Sequence, residues 1–69
     1  MILIITDETK QGLEIIVDSE GVDELISYLQ GIKKNKDHIH LTAGNELSED
    51  YASKNLIKHV KLGYDPDSK

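Results

Sequence analysis

The residues with the clearest chemical potential are three histidines, two of them in one short stretch. His38 and His40 flank Ile39, so in a β-strand both imidazoles point to one face, about 7 Å apart. His59 lies in a later apolar segment and would add a third ring nitrogen from a neighbouring strand, which is a zinc-binding set in principle. Because no aspartate or glutamate lies at a metal-ligand spacing from them, the three histidines are weak candidates for metal ligands. We expect exposed or partner-facing histidines and no bound metal.

Other catalytic arrangements are missing from the sequence. It contains no cysteine, no glycine-rich phosphate loop, and no serine or threonine in a recognisable nucleophile setting. Its carboxylates fall in loops or at a helix start, where they more often solubilise or cap than act as general acids. We therefore predict a protein that is not an enzyme and uses no cofactor.

Composition narrows the class of partner. The 69 residues carry a formal net charge of -5, and the eight basic residues are all lysines. Without arginine, the bidentate contacts typical of nucleic-acid readers are missing, so no nucleic-acid partner is expected. An acidic domain suits a basic protein partner better.

The apolar start of the chain is too short for a membrane or export role. Residues 1–5 are apolar, whereas a signal peptide needs a longer apolar region and a membrane span needs about 20 residues. We expect a cytoplasmic protein without membrane association.

Hydrophobic periodicity predicts a β-β-α-β-β order. One amphipathic helix of about 12 to 14 residues carries an apolar stripe formed by Val22, Leu25, Ile26, Leu29 and Ile32. Gly31 is expected to weaken the end of this helix. The four strands are predicted at residues 2–6, 13–18, 38–42 and 56–64. The fold class is therefore α+β: one domain over residues 1–69, with a fraying tail at 65–69.

One helix covers only one face of the predicted four-stranded, mostly antiparallel sheet. The side chains expected to meet it are Leu13, Ile15, Val17, Ile39, Leu41, Val60, Leu62 and Tyr64. The first strand is apolar on both sides, which indicates a central strand or one covered on both faces.

The second sheet face is predicted to mix apolar and ionisable groups. We expect it to carry Glu14, Ile16, His38, His40, Ile57, His59 and Lys61. Such a surface on a small domain often marks association with a partner or with a second copy. The alternative is a partly solvated face with a few isolated aliphatic side chains.

Two segments resemble the central signature of the Immunity protein 32 family. They are Asp37-His38-Ile39-His40-Leu41 and, after a short glycine turn, Glu46-Leu47-Ser48-Glu49. The upstream Ser19-Glu20-Gly21 with its Leu/Ile-rich helix, and the final strand Leu56-Ile57-Lys58-His59-Val60-Lys61, are also similar, so the resemblance spans most of residues 13–64. One departure is the turn, where this chain has only Ala43-Gly44 in place of bulkier residues.

The resemblance implies a small α+β bacterial protein that binds and neutralises a cognate toxin stoichiometrically. The motif positions carried over are His38, His40, Leu41, Glu46, Leu47 and Ser48. Together with the mixed sheet face they give the predicted partner-binding set, which is Glu14, Ile16, His38, His40, Glu46, Ser48, Ile57, His59 and Lys61. The alternative function is a small homodimeric interaction domain that self-associates through the same sheet face.

Overall fold

The chain folds as a small α+β protein with the predicted order of elements. The computed structural model describes residues 1–9, 11–49 and 55–67. The elements are β1 (Ile2–Thr6), β2 (Leu13–Val17), α1 (Ser19–Asn35), β3 (His38–Thr42) and β4 (His59–Gly63). The predicted fold class is confirmed. The end of the predicted tail, residues 68–69, lies outside the described residues.

The four strands form two antiparallel hairpin sheets rather than one continuous sheet. One sheet pairs β1 with β2, and the other pairs β3 with β4. Backbone hydrogen bonds join the two sheets along the edge of β1 that does not pair with β2. Ser48 N donates to Ile2 O at 2.7 Å, and Ile57 N donates to Ile4 O at 2.9 Å. Ile5 also forms an isolated bridge with Leu56. These links replace the regular ladder that the sequence predicted.

Strand β1 is central and buried on both faces, as its double-sided apolar pattern predicted. Ile2 and Ile4 point to one face and Leu3 to the other, yet all three are less than a tenth exposed. Both edges of β1 carry backbone bonds, one to β2 and one to the segment around Ile57. A strand in this position has no solvated side, which explains its continuous apolar run.

The core lies between β1, β3 and the helix. Its buried members are Ile2, Ile4, Leu41 and Leu47, and partly buried side chains pack around them: Val17, Leu25, Tyr28, Ile39, Ile57 and Val60. Three of the predicted core residues are exposed instead: Leu13 by 61%, Ile15 by 52% and Tyr64 by 37%. Leu13 and Ile15 lie in the first part of the outer strand β2, which the helix does not bury, and Tyr64 follows β4.

Helix α1 is longer than predicted and ends at a left-handed residue. Asp18 is its N-cap, and the Asp18 carboxylate accepts a hydrogen bond of 2.8 Å from Gly21 N. The helix runs through Gly31 to Asn35, and Lys36 then adopts φ 53° and donates its N–H to Ile32 O. The helix therefore does not end at Gly31, and the αL cap at Lys36 terminates it.

The predicted apolar stripe of α1 divides into a buried and an exposed part. Ile32 is buried and Leu25 half-buried, and they share the inner face of the helix with Gly21 and Tyr28. Val22, Ile26 and Leu29, by contrast, are exposed. A helix over two small hairpins touches the core along only one line of side chains, so it cannot bury an apolar surface this wide.

Acid should loosen the start of α1. The pKa of Asp18 is lowered, first by the hydrogen bond from the Met1 amino group, 2.7 Å away, and then by Gly21 N–H. Because this carboxylate has a lower pKa in the folded protein than in the unfolded chain, its ionised form stabilises the fold at pH values above the unfolded pKa. That stabilisation is lost as the pH falls through the pKa of the folded state. We expect the melting temperature to fall more steeply below about pH 4 in the wild type than in Asp18→Asn, which keeps an acceptor but does not titrate. Equal acid dependence of the two proteins, followed by circular dichroism, would contradict this assignment.

Candidate protein-binding face

The three histidines share the outer face of the β3–β4 hairpin. In the register of this sheet, His40 lies opposite Lys61 and Thr42 lies opposite His59. His38, His40, His59 and Lys61 are all exposed. We call these four side chains the histidine face. The strand alternation that placed His38 and His40 together is confirmed, and the register adds His59 to them.

The imidazoles of the histidine face contact one another. His40 Nδ1 lies 2.8 Å from His59 Nε2, and the two rings stack with centroids 5.0 Å apart. The ring of His38 meets that of His40 edge-on at 5.1 Å. Asp37 supports the first ring, since its Oδ1 lies 3.1 Å from His38 Nδ1. The face therefore presents a connected row of rings.

The contact between His40 and His59 restricts their protonation. A hydrogen bond between two ring nitrogens needs one N–H and one lone pair, so at least one of the two rings must be neutral. Protonation of both would bring two donors together and break the bond.

The geometry of the face is suited to hydrogen bonding rather than to metal binding. The nitrogens of His40 and His59 point at each other and share one proton instead of converging on a common point. Among the described residues, no group of three histidine or carboxylate side chains is arranged to hold a metal ion. The rings and the Lys61 ammonium instead offer donors and acceptors to a partner surface.

The opposite side of the same hairpin is anchored in the core. Ile39 and Val60 pack against the buried cluster that contains Leu41, and all three alternate with the histidine-face residues along β3 and β4. This packing holds the backbone under the rings. A binding surface on paired strands is better positioned than one on a loop.

The predicted placement of Ile57 on this face is wrong. Ile57 packs against the core, and its backbone N–H bonds to Ile4 O at 2.9 Å. The segment that contains it pairs with β1, whereas β4 begins only at His59 and pairs with β3. One continuous strand from 56 to 64 would place Ile57 beside His59. Because the chain changes its strand partner between Ile57 and His59, the Ile57 side chain packs against the core instead.

Glu14 and Ile16 lie in the other hairpin. In β2 they pair with Ile5 and Leu3, on the face of the first sheet opposite to that of Ile4. Glu14 is exposed and Ile16 half-buried. Because the two hairpins are separate sheets, the predicted single surface that joined these residues to the histidines is divided between them.

Glu46 and Ser48 belong to a third location, the turn after β3. Glu46 Oε1 accepts a hydrogen bond of 3.0 Å from Thr42 N, and this bond is the main reason why the pKa of Glu46 is lowered. Gly44 occupies the turn with φ 80°, a conformation that favours glycine. With Ser48, Glu24 and other residues, Glu46 lines an open cavity of about 420 Å³.

The structure separates the motif positions by role. Leu41 and Leu47 are 2% and 1% exposed and form part of the core, while Glu46 closes the turn. His38 and His40 have exposed side chains and contribute to neither the core nor the turn. The two histidines are thus motif positions whose residue type is not accounted for by the core or the turn.

Comparison with protein-family models, curated proteins and solved structures finds no match to this chain. The family resemblance therefore rests on the short motif quoted above. Within the part of the chain that the structure describes, no helix is long and apolar enough to span a membrane.

Val22, Ile26 and Leu29 form an exposed apolar line on α1, although the sequence predicted them to face the core. The sequence does contain an indication of this: the apolar residues of the helix span a wider arc than the line of residues, including Gly21 and Leu25, that faces the core. Only the crossing of the helix over the two hairpins shows which part of that arc is buried.

Proposed function

We propose that this chain is an immunity protein that binds a cognate bacterial toxin stoichiometrically and neutralises it without catalysis, in the cytoplasm of the cell that makes both. The observation that carries this proposal is the histidine face. Three contacting imidazoles and a lysine occupy an exposed, well-supported strand surface. Two of those imidazoles are motif positions with no role in the core or the turn.

The acidic charge of the chain supports a basic partner. The formal net charge is -5, and three carboxylates, those of Glu24, Glu46 and Glu49, line the cavity beside the turn after β3. Complementary charge accelerates encounter and disfavours wrong partners. Many effectors that act on nucleic acids are basic, so an acidic surface would compete for the same site.

A binding and rescue experiment tests the proposal. The product of the neighbouring gene is expressed with and without this chain, and growth is followed together with co-purification of the two proteins. We expect a stable complex of one chain per toxin and restored growth. The absence of both binding and rescue would overturn the proposal.

Two matched lysine variants test the role of the histidine face. Lys61→Glu changes the residue opposite His40, whereas Lys58→Glu makes the same charge change before β4 begins. We expect Lys61→Glu to weaken toxin binding by at least about tenfold and Lys58→Glu to change it by less than about threefold, as measured by calorimetry. Equal effects would indicate that only net charge matters, and no effect at Lys61 would exclude this face.

The histidine pair gives an independent test of the same face. His40→Ala removes one ring of the hydrogen-bonded pair and leaves the anchoring residues of β3 in place. We expect His40→Ala to weaken toxin binding by at least about tenfold, as measured by calorimetry. Unchanged affinity would contradict a role for this pair in binding.

A further inference from the structure

An exposed apolar line runs along helix α1 away from the histidine face. Val22, Ile26 and Leu29 are spaced i, i+4 and i+7, so they lie on one side of the helix. Their exposed fractions are 42%, 47% and 45%. We call these three residues the helix stripe. Exposed aliphatic side chains in a continuous line, rather than scattered singly, indicate an association surface.

The helix stripe faces the β2 side of the molecule. The opposite flank of α1 faces β3, since Ser27, Tyr28 and Gly31 line one cavity with His38 and Ile39. At 100° per residue the stripe lies across the helix from that flank. On the β2 side lie Leu13 and Ile15, two further exposed aliphatics on the sheet face that α1 covers. The stripe and β2 therefore form one apolar patch.

The charges of α1 are divided between its two ends. Asp18 and Asp23 lie at the start of the helix and Lys33 lies in its last turn, all on or beside the side that carries the helix stripe, whereas Glu20 lies on the opposite side. Two copies of the helix in antiparallel orientation place the acidic start of each against the basic end of the other. A parallel pair would instead bring like charges together. The helix is thus self-complementary in one orientation only.

We propose that the helix stripe is the interface of a homodimer in which two copies of α1 pack antiparallel about a two-fold axis near Ile26. In this arrangement Val22 of one copy lies opposite Leu29 of the other, and Lys33 of each copy lies opposite Asp18 of the other. A two-fold interface uses the same patch on both copies, as this patch allows. The histidine face is on another surface, so a dimer leaves it free for a toxin.

The proposed interface is small, and this sets its strength. Three helix side chains and two strand side chains bury less than the roughly 800 Å² per partner of a standard interface. The dimer should therefore form between about 10 µM and about 1 mM. Sedimentation equilibrium of the full chain over this range should show an average mass that rises from 7.7 kDa toward twice that value.

Two glutamate variants locate the interface. Ile26→Glu places a charge in the centre of the stripe, and Ser27→Glu adds the same charge one residue later, on the flank toward β3. We expect Ile26→Glu to remain monomeric and Ser27→Glu to dimerise like the wild type, with circular dichroism showing that both are folded. A monomeric wild type at about 1 mM, or equal dimerisation of both variants, would overturn the proposal.

Disulfide trapping tests the orientation, because the chain has no cysteine of its own. Val22→Cys and Leu29→Cys are oxidised separately and as a mixture. An antiparallel dimer should give the mixed disulfide in the mixture and little self-linked product, whereas self-linked products alone would refute the antiparallel arrangement. These experiments use no toxin, so their failure would leave the proposed function untouched.

Discussion

Leu41→Ala should remove most of the stability of this protein. Leu41 is 2% exposed and lies in the buried cluster with Ile2, Ile4 and Leu47. Replacing a buried leucine by alanine costs about 2–5 kcal/mol, from lost transfer energy and from the cavity left behind. A domain of this size has a total stability of roughly 3–10 kcal/mol. Urea unfolding followed by circular dichroism should therefore show a midpoint near zero denaturant or a partly unfolded protein.

Leu13→Ala is the matched control for Leu41→Ala. The same chemical change is made at a residue that is 61% exposed, and its effect at low micromolar concentration should stay within about 0.5 kcal/mol. The slope of the unfolding free energy with urea should be the same in all folded variants. A loss below about 1 kcal/mol for Leu41→Ala, or equal losses at both positions, would show that the core lies elsewhere.

The same two leucines show what sequence periodicity can and cannot predict. Alternation along a strand gives the face on which a side chain lies, and it placed Ile39 and Leu41 correctly opposite the histidines. It does not give the extent of the element that covers that face. Leu13 faces the side of the sheet on which the helix lies, but the helix does not cover the start of the outer strand, so the prediction of a buried Leu13 fails.

The error at Ile57 has a different physical cause. Periodicity assumes that a strand keeps one partner along its length, whereas here the chain bonds to β1 at Ile57 and to β3 from His59 onward. The choice of partner depends on long-range pairing that leaves no local signal in the apolar pattern. The predicted surface of nine residues is therefore divided: Ile57 packs against the core, and the other eight lie on the histidine face, on the outer face of β2 and in the turn that contains Glu46.

The motif shows the converse case, in which local sequence was informative. The sequence Ala43-Gly44-Asn45 predicted a turn after β3, and Gly44 forms it with a positive φ. The buried position of Leu47, however, depends on the packing of that turn against β1, where Ser48 N bonds to Ile2 O. A short polar segment with one leucine gives no indication that this leucine will be 1% exposed.

Alanine substitution at the two glycines of α1 should have effects of opposite sign. Glycine inside a helix costs about 0.5–1 kcal/mol relative to alanine. At Gly31 an added Cβ meets no atom within 4 Å, so Gly31→Ala should stabilise the protein by about that amount. At Gly21 an added Cβ would collide with the Met1 carbonyl, approaching its carbon to 2.8 Å. Thermal unfolding of the two variants measures both effects.

The collision at Gly21 cannot be relieved by a small rotation, because Met1 is held on two sides. Its carbonyl accepts a hydrogen bond of 3.3 Å from Asp18 N, and its amino group donates to Asp18 Oδ1 at 2.7 Å. Moving Met1 away would break both bonds and also disturb the N-cap that Asp18 provides. We therefore expect Gly21→Ala to destabilise the fold by about 1–3 kcal/mol, despite the better helix propensity of alanine. Stabilisation by both substitutions would show that the start of α1 does not pack against Met1 in solution.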